Sequence, residues 1–326
     1  MRGGVGAAAM NACPACGGMA LECAATFPFE DLRRLWFERV GLDISTCLAQ
    51  PYAEADVVLT RCRTCLLEFF PPALCGTAAL YTHLGQFDYY YQDDKWECRA
   101  ALDVLPAPPA RVLEVGCGPG RFLDRLRARY PMAQAVGLEL NSRAVAEGRA
   151  RGHDVRLASL GAVAASEPGA YDVLFAFQVL EHLPEPGQFL REAAASLSAG
   201  GWLIVAVPNA HGFTGQAVND FGNLPPHHLS RWHTAVFERV APAHGLLLRA
   251  AHEEPVAPYH REWYRTLAIL KRLSFVAGRR WRPVELGTGF RVLQSLADRC
   301  QRHLPARLWR YRRPGHTLLA VLQKAA

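Results

Sequence analysis

Short apolar runs alternate with stretches of helical periodicity through the middle of the chain. The runs are Arg111–Val115, Ala135–Leu140, Tyr171–Phe177 and Trp202–Val207. After the first run, Phe122, Leu123, Leu126 and Tyr130 recur near the spacing of an amphipathic helix. Strands that alternate with helices are typical of a parallel sheet with helices on both faces. The pattern therefore predicts an α/β fold for residues 111–252.

Smaller elements are predicted on either side of this region. Helices are expected at Phe29–Val40, Asp93–Leu105, Ser142–Arg151 and Phe290–Leu304, and strands at Leu66–Pro72 and Asp154–Leu157. The chain then divides into a disordered tail at 1–10, a zinc-ribbon-like unit at 11–75, an aromatic-rich connector and helix at 76–110, and an α/β domain at 111–326 that carries a basic insertion at 255–314. The connector aromatics, Tyr81, Phe87, Tyr89, Tyr90, Tyr91 and Trp96, are interpreted as packing residues, with a wall for a cationic ligand as the alternative.

Composition restricts the class of protein. The chain has 326 residues, half of them hydrophobic, and no run of 18 apolar residues, so no transmembrane segment is predicted. The Gly/Ala-rich first ten residues lack the apolar segment of a signal peptide, and an alternative translation start at Met10 remains open. Ten cysteines, several in Cys-x-x-Cys pairs, suit a reducing compartment. A cytoplasmic location is therefore expected.

Two Cys-x-x-Cys pairs predict a structural zinc site. Cys13 and Cys16 form the first knuckle, and Cys62 and Cys65 form the second. Four thiolates give a closed tetrahedral Zn²⁺ site with no open catalytic position. The 45 residues between the knuckles exceed the usual ribbon spacing, so two reduced pairs in a loop-rich unit, or a redox pair, are the alternatives. Four further cysteines are interpreted as small buried hydrophobic residues: Cys23, Cys47, Cys75 and Cys98.

The first predicted strand of the α/β region ends in a glycine loop. Glu114 is followed by Gly116, Gly118 and Gly120 at every second position. Glycines allow a ligand to approach the backbone closely, and the helix that follows offers unpaired N–H groups. A dinucleotide site needs its third glycine at the position that Arg121 occupies, which argues against a nicotinamide oxidoreductase. Glu139, at the end of the next strand, is placed to accept both hydroxyls of a ribose.

These motifs together resemble class I S-adenosylmethionine-dependent methyltransferases. The resemblance is carried by Glu114–Gly120, Glu139, the Phe177–Pro184 run with Leu-Glu-His-Leu, Val207-Pro208-Asn209 and Pro225–Leu229. It implies a doubly wound seven-stranded Rossmann-like sheet of order 3-2-1-4-5-7-6 with the seventh strand antiparallel. Leu246–Ala251 suits the sixth strand of that sheet and Thr317–Gln323 suits the seventh. The cysteine unit is similar to a zinc-binding leader of some members. The implied donor-binding residues are Glu114, Gly116, Cys117, Gly118, Gly120, Glu139, Leu140, Ser159, Leu160 and Gln178.

Histidines after the predicted strand ends are candidates for a general base. His182 follows the strand at Tyr171–Phe177, and His227 and His228 come later, with His211 and His233 as further candidates. Imidazole titrates in the range useful for deprotonating an acceptor hydroxyl or acidic C–H. A structural role for His182, and a metal site formed by His182, His227 and His228, are the alternatives.

The basic insertion leaves three interpretations open. Residues 259–313 hold 14 Lys and Arg against 3 Asp and Glu, a net charge of +11, while the rest of the chain carries −5. The segment is a solvated lid, a binding surface for an anionic acceptor, or an amphipathic contact with an anionic membrane.

The predicted function is methyl transfer to a small-molecule acceptor by in-line displacement, for example to a nucleotide-linked sugar or another precursor of surface polysaccharides or secondary metabolites. The alternatives are a nucleic-acid or protein methyltransferase that binds through the zinc unit and the insertion, and a donor-binding scaffold without catalysis. Gln178-Val179-Leu180-Glu181 stands where an amino-methylating enzyme would carry Asn/Asp-Pro-Pro-aromatic, and no clear nucleic-acid-binding motif is present.

Overall fold

A computed structural model describes residues 11–87, 95–305 and 309–325. The predicted tail at 1–10 and the connector residues Tyr89, Tyr90 and Tyr91 lie outside the described residues. The chain forms two compact units. The small-sheet unit comprises Met1–Phe87, Asn209–Arg231 and Pro255–His316, and the large-sheet unit comprises Asp88–Pro208, Trp232–Glu254 and Thr317–Ala326. The domain boundaries predicted from the sequence stay predictions.

The large-sheet unit is built on seven strands. They are β4 (Arg111–Val115), β5 (Gln134–Glu139), β6 (Asp154–Leu157), β7 (Tyr171–Phe177), β8 (Leu197–Pro208), β10 (Leu246–Glu253) and β11 (Thr317–Lys324). Their order in the sheet is β10-β11-β8-β7-β4-β5-β6, and β11 runs antiparallel to both of its neighbours. Counted along the α/β region, this is the order 3-2-1-4-5-7-6. The predicted α/β fold class is confirmed.

Helices follow the strands of the large sheet. They are α3 (Trp96–Asp103), α4 (Arg121–Arg129), α5 (Ser142–Ala150), α6 (Leu160–Ser166), α7 (Pro186–Ser196) and α8 (Thr234–Val240). The apolar stripe of α4 is buried at Phe122, Leu123 and Leu126, as its spacing predicts. These side chains pack with Val112 and Phe175 of the central strands into one core cluster. Burial of this face, rather than helix propensity, holds the strand–loop–helix in place.

The small-sheet unit contains the four predicted zinc ligands and the basic insertion. Its sheet has the order β1-β2-β3-β9, all antiparallel, formed by β1 (Leu21–Pro28), β2 (Asp56–Cys62), β3 (Glu68–Phe69) and β9 (Ser230–Arg231). Its helices are α1 (Phe29–Val40), α2 (Ala78–Leu84), α9 (Arg261–Val276) and α10 (Thr288–His303). In the described part of the chain, no helix is long and apolar enough to cross a membrane.

Some elements differ from the predicted bounds. Strand β3 has only two residues because Pro71 and Pro72 follow it closely and cannot donate to a ladder. Strand β8 begins five residues earlier than predicted, at Leu197, and continues through the two glycines at 200 and 201. The interpretation of Cys23 as buried was wrong, because its side chain is exposed on β1; Cys47 is buried, and Cys75 and Cys98 are half-buried.

Candidate functional site

The glycine loop between β4 and α4 requires glycine at three positions. Gly116, Gly118 and Gly120 have φ angles of 72°, 52° and 80°, a region that other residues rarely adopt. A Cβ on Gly116 would lie 2.7 Å from Cγ2 of Val179, whereas a Cβ on Gly118 would meet no atom within 4 Å. The loop therefore presents open backbone at Gly118, where a ligand can approach without meeting a side chain.

Glu139 connects the end of β5 to this loop. Its Oε2 accepts a hydrogen bond from the backbone N–H of Gly118 at 2.9 Å. Its Oε1 accepts from the N–H groups of Leu140 and Asn141 at 2.7 and 2.8 Å. A carboxylate has about four acceptor positions, so these three bonds orient the group and leave capacity for a ligand hydroxyl.

Glu114, the first residue of the motif, is a buried acid. It is 3% exposed, and Oε2 has no hydrogen-bond partner among the described residues. Burial raises the pKa of Glu114 well above its usual range, and the charge of Glu139 raises it further. Glu114 therefore keeps its proton more readily than an exposed acid does, and Glu139 supplies the negative charge at these strand ends. This fits a ligand that carries positive charge.

The other predicted donor residues lie after neighbouring strands of the same parallel sheet. Ser159 follows β6 and caps α6, its Oγ accepting from the N–H of Ala162 at 3.3 Å, and Leu160 is buried beside it. Gln178 follows β7 with φ 55°, which is unusual for a residue other than glycine. Since the carboxyl ends of parallel strands share one edge of a sheet, the edge brings these residues toward the glycine loop.

Glu97 on α3 is a buried residue that sequence reasoning missed. Its Oε1 accepts a hydrogen bond from Nε2 of Gln178 at 3.1 Å, across 81 residues of chain. The bond fixes the side-chain direction of Gln178 at the end of β7. A single glutamate in an amphipathic helix has no pattern that would have revealed this contact.

His153 and Asp124 support the third glycine of the loop and were also missed. A Cβ on Gly120 would lie 2.8 Å from Cδ2 of His153, so the imidazole packs directly on the glycine. Nε2 of His153 lies 2.8 Å from Oδ1 of Asp124. The same carboxylate forms ion pairs with Arg127 through Oδ1 and with Arg151 through Oδ2. Burial opposes ionisation of Asp124, but the hydrogen bonds from Arg151 and His153 lower its pKa. The carboxylate therefore accepts, and Nε2 of His153 carries the proton.

His182, the candidate base in the large-sheet unit, adjoins a fully buried acid. Its Nε2 lies 3.9 Å from Oε1 of Glu181. Burial raises the pKa of Glu181 to about 8, and the positive charge of Lys95 opposes that shift. Near neutral pH, Glu181 is therefore largely protonated.

His227 and His228 in the small-sheet unit stack on one another, with ring centroids 4.3 Å apart. Nδ1 of His227 lies 2.8 Å from the carbonyl oxygen of Gly222, which only accepts, so Nδ1 carries the proton. Nδ1 of His228 lies 3.1 Å from Oδ1 of Asn223. The Asn223 amide donates to Asp220 at 2.7 Å, so its oxygen faces His228. In both neutral rings the lone pair is consequently on Nε2.

The four predicted zinc ligands converge in the small-sheet unit. The sulfurs of Cys13, Cys16, Cys62 and Cys65 all lie within 4.8 Å of one another. Two separations, Cys13 to Cys65 and Cys16 to Cys62, are 3.6 and 3.7 Å. A tetrahedron with Zn–S bonds of 2.3 Å has edges of about 3.8 Å, so the sulfurs fit such an ion. The N–H of Gly18 also donates to Sγ of Cys16 at 3.4 Å.

Comparison with known proteins agrees with this geometry. A family model described as a methyltransferase domain matches residues 90–252. The trans-aconitate 2-methyltransferase of Methylobacterium nodulans is 38% identical over 115 residues, which is 34% of this chain and 45% of the relative. A ubiquinone biosynthesis O-methyltransferase of Albidiferax ferrireducens is 30% identical over 132 residues, 38% of this chain and 52% of the relative. The chain thus spans about half the length of these curated relatives.

A solved structure gives a weaker likeness. The SAM-dependent methyltransferase of Archaeoglobus fulgidus aligns with a TM-score of 0.48 at 15% identity, covering 75% of this chain and all of that one. The family model matches half of this chain and includes the glycine loop, Glu139 and Gln178. The chain belongs to the class I S-adenosylmethionine-dependent methyltransferases.

Proposed function

We propose that this protein transfers a methyl group from S-adenosylmethionine to a small-molecule acceptor. The observation that carries the proposal is the hydrogen bond between Glu139 and the open backbone of Gly118. The curated relatives are named for trans-aconitate and for ubiquinone biosynthesis, and both names refer to small molecules. More specifically, we propose a nucleotide-linked sugar or another anionic precursor as the acceptor.

The donor half of the site uses residues of the large-sheet unit. The donor lies against the backbone of Gly116, Gly118 and Gly120, and Glu139 accepts hydrogen bonds from the ribose hydroxyls of the donor. Oε2 of Glu114 has no hydrogen-bond partner among the described residues, so it is available to the ammonium group of the donor. Ser159 and Leu160 follow β6, where the adenine is expected, and Gln178 is oriented by Glu97. Leu140 directly follows Glu139, and Cys117 lies within the glycine loop, so we include both residues in the donor site.

The chemistry required of the protein is mainly positioning. Bound S-adenosylmethionine supplies an activated methyl group, and in-line attack by the acceptor forms the new bond to the methyl carbon as the C–S bond breaks. The acceptor loses one proton. His227 and His228 have Nε2 lone pairs fixed by their Nδ1 hydrogen bonds, so we propose them, with His182, as candidate bases.

We further propose that Cys13, Cys16, Cys62 and Cys65 hold a structural zinc ion. The sulfur separations support it, and four protein ligands leave no position for a substrate. The ion would fix β2 and the segment before β1 in the small-sheet unit.

The test begins with binding and continues with turnover. Calorimetric titration of the full chain with S-adenosylhomocysteine and with NAD distinguishes the donor. Release of S-adenosylhomocysteine is then followed with a panel of carboxylate, phenol and nucleotide-sugar acceptors. His227→Gln and His228→Gln are compared with His252→Ala, which alters an exposed histidine on β10.

Each outcome has a defined meaning. Binding of S-adenosylhomocysteine with acceptor-dependent turnover supports the proposal, and a loss of rate in one histidine variant without a change in donor affinity identifies the base. Binding without turnover on any acceptor would favour a non-catalytic scaffold. Binding of NAD alone would overturn the donor assignment.

A further inference from the structure

The helices of the basic insertion form a hairpin with its own core. Ile269 and Leu270 of α9 pack with Phe290 and Ala297 of α10, and Leu293 and Trp309 lie against them. Near the turn, Arg279 forms an ion pair with Glu285. The apolar residues that stabilise the hairpin therefore pack between its two helices.

The last turn of α9 exposes two large apolar residues that take no part in this core. Phe275 and Val276 are each 84% exposed. By contrast, Trp281 donates from Nε1 to the carbonyl of Gln216 at 3.0 Å, and its ring lies beneath Arg231. Trp281 is thus anchored within the small-sheet unit, whereas the two side chains at the end of α9 are directed to solvent.

Exposed arginines lie close to this apolar pair along the chain. On α9, residues 272, 275 and 276 share one face, because positions three and four apart are neighbours on a helix. Arg272 on this face, and Arg280 and Arg282 in the turn after α9, are exposed and have no carboxylate within 4.0 Å among the described residues. Residues 261–303 carry ten Lys and Arg against three Asp and Glu.

We propose that this face of the α9–α10 hairpin is a docking surface for an anionic lipid membrane. Phe275 and Val276 would enter the interface between headgroups and acyl chains, and the nearby arginines would bind lipid phosphates. Exposed arginines next to exposed apolar side chains at a helix end are the two features that interfacial binding requires. Charge complementarity selects this occupant over a second copy of the chain, since two copies of so basic a face repel each other.

Nucleic acid is the other anionic polymer that a basic surface attracts. Nucleic acid would bind the arginines through its phosphates. It would gain nothing from Phe275 and Val276, because successive bases stack on several aromatic side chains and this helix face offers one phenylalanine beside a valine. The separate contributions of the charges and of the apolar pair therefore distinguish a membrane from a nucleic acid.

The experiment is co-sedimentation of the full chain with phosphatidylcholine vesicles that contain or lack phosphatidylglycerol. We expect binding only to the anionic vesicles, with a marked loss in high salt. Phe275→Ala combined with Val276→Ala should weaken binding about tenfold, because apolar area no longer leaves water. Arg272→Gln combined with Arg280→Gln should weaken it about thirtyfold, since each basic residue near an anionic surface contributes about 1 kcal/mol.

The matched control is Phe37→Ala, which removes an exposed aromatic residue of α1 in the same unit (64% exposed) and should leave vesicle binding unchanged. Thermal unfolding of each variant checks that the exposed substitutions leave the fold intact. If wild-type protein ignores anionic vesicles, the proposal is wrong. It is equally wrong if only the arginine variant loses binding while Phe275→Ala/Val276→Ala binds normally, and retention on duplex DNA would then identify a polyanion site.

Discussion

The carboxylate of Glu139 accepts a hydrogen bond from the backbone N–H of Gly118 at 2.9 Å. This bond joins the end of β5 to the loop after β4. It therefore fixes the carboxylate that we propose binds the ribose relative to the backbone that we propose contacts the donor. Glu139→Gln replaces one acceptor oxygen with a donor, which faces either the N–H of Gly118 or those of Leu140 and Asn141. Hydrogen bonds to charged groups contribute about 1.5–3 kcal/mol, so we expect affinity for S-adenosylhomocysteine to fall about 10- to 100-fold.

Calorimetric titration measures this loss, and Glu147→Gln on the exposed face of α5 is the matched control. Unchanged affinity in Glu139→Gln would show that the carboxylate has no part in donor binding. A thermal scan of the two variants separates any change in stability from the change in donor affinity.

Gly118 and Gly120 should respond differently to alanine. Both have positive φ, so either substitution costs about 1–2 kcal/mol of stability through backbone strain. At Gly120 the new Cβ also meets the ring of His153 at 2.8 Å, whereas at Gly118 it meets nothing within 4 Å. We therefore expect Gly120→Ala to be the less stable protein and Gly118→Ala to retain more stability but lose most donor affinity, because its methyl group occupies the open surface.

Urea unfolding and S-adenosylhomocysteine titration of the two variants provide the comparison. Gly120→Ala should cost less stability in a His153→Ala background than in the wild type, since the contact with the ring is then absent while the strain remains. Equal stabilities in the two glycine variants would contradict a supporting role for His153.

The sequence predicts this site well where its chemistry is local. The glycine spacing and the strand-end position of Glu139 are visible along the chain, and the alternation of apolar runs and helical stripes leads directly to the sheet that positions them. Glu97 is different, because it contacts Gln178 across 81 residues as a single acid in an ordinary helix. His153 likewise has no motif, and only the folded chain places it on Gly120.

The small-sheet unit shows the same limit. The two Cys-x-x-Cys pairs predict the sulfur cluster in spite of their long separation. However, residues 209–231 join this unit through a two-residue strand, in which Ser230 pairs with Phe69 and Arg231 with Glu68. So short a pairing has no periodic signal, and the grouping of the segments at 209–231 and 255–316 with the N-terminal residues was not predicted.

Purified protein should contain about one zinc ion per chain, bound by the four clustered cysteines. Cys62→Ser should lower the metal content and destabilise the small-sheet unit, because Cys62 is a buried residue at the end of β2 and the apo site leaves thiolates close together. Cys23→Ser is the control, since that thiol is exposed and outside the cluster. Metal analysis and thermal unfolding with and without a chelator measure both effects, and a folded wild-type protein free of zinc would exclude the site.

Because Glu181 is buried, the stability of the folded chain should fall as the pH rises. Burial raises its pKa from 4.5 to about 8, so between those values the folded chain keeps a proton that the unfolded chain has lost. The stabilisation is complete below about pH 4.5 and is lost as the pH rises through about 8, with a slope of about 1 kcal/mol per pH unit within that window. Glu114 has a raised pKa for the same physical reason and adds to the slope with the same sign.

The useful quantity is therefore the difference in stability between the wild type and Glu181→Gln, whose side chain cannot ionise. Relative to the wild type, the variant should gain stability on going from pH 6 to pH 8. Urea unfolding at intermediate pH values measures the difference, and Glu185→Gln, an exposed glutamate four residues along, should track the wild type. Parallel curves for wild type and Glu181→Gln would show that Glu181 is ionised in the folded protein, with its charge balanced inside the large-sheet unit.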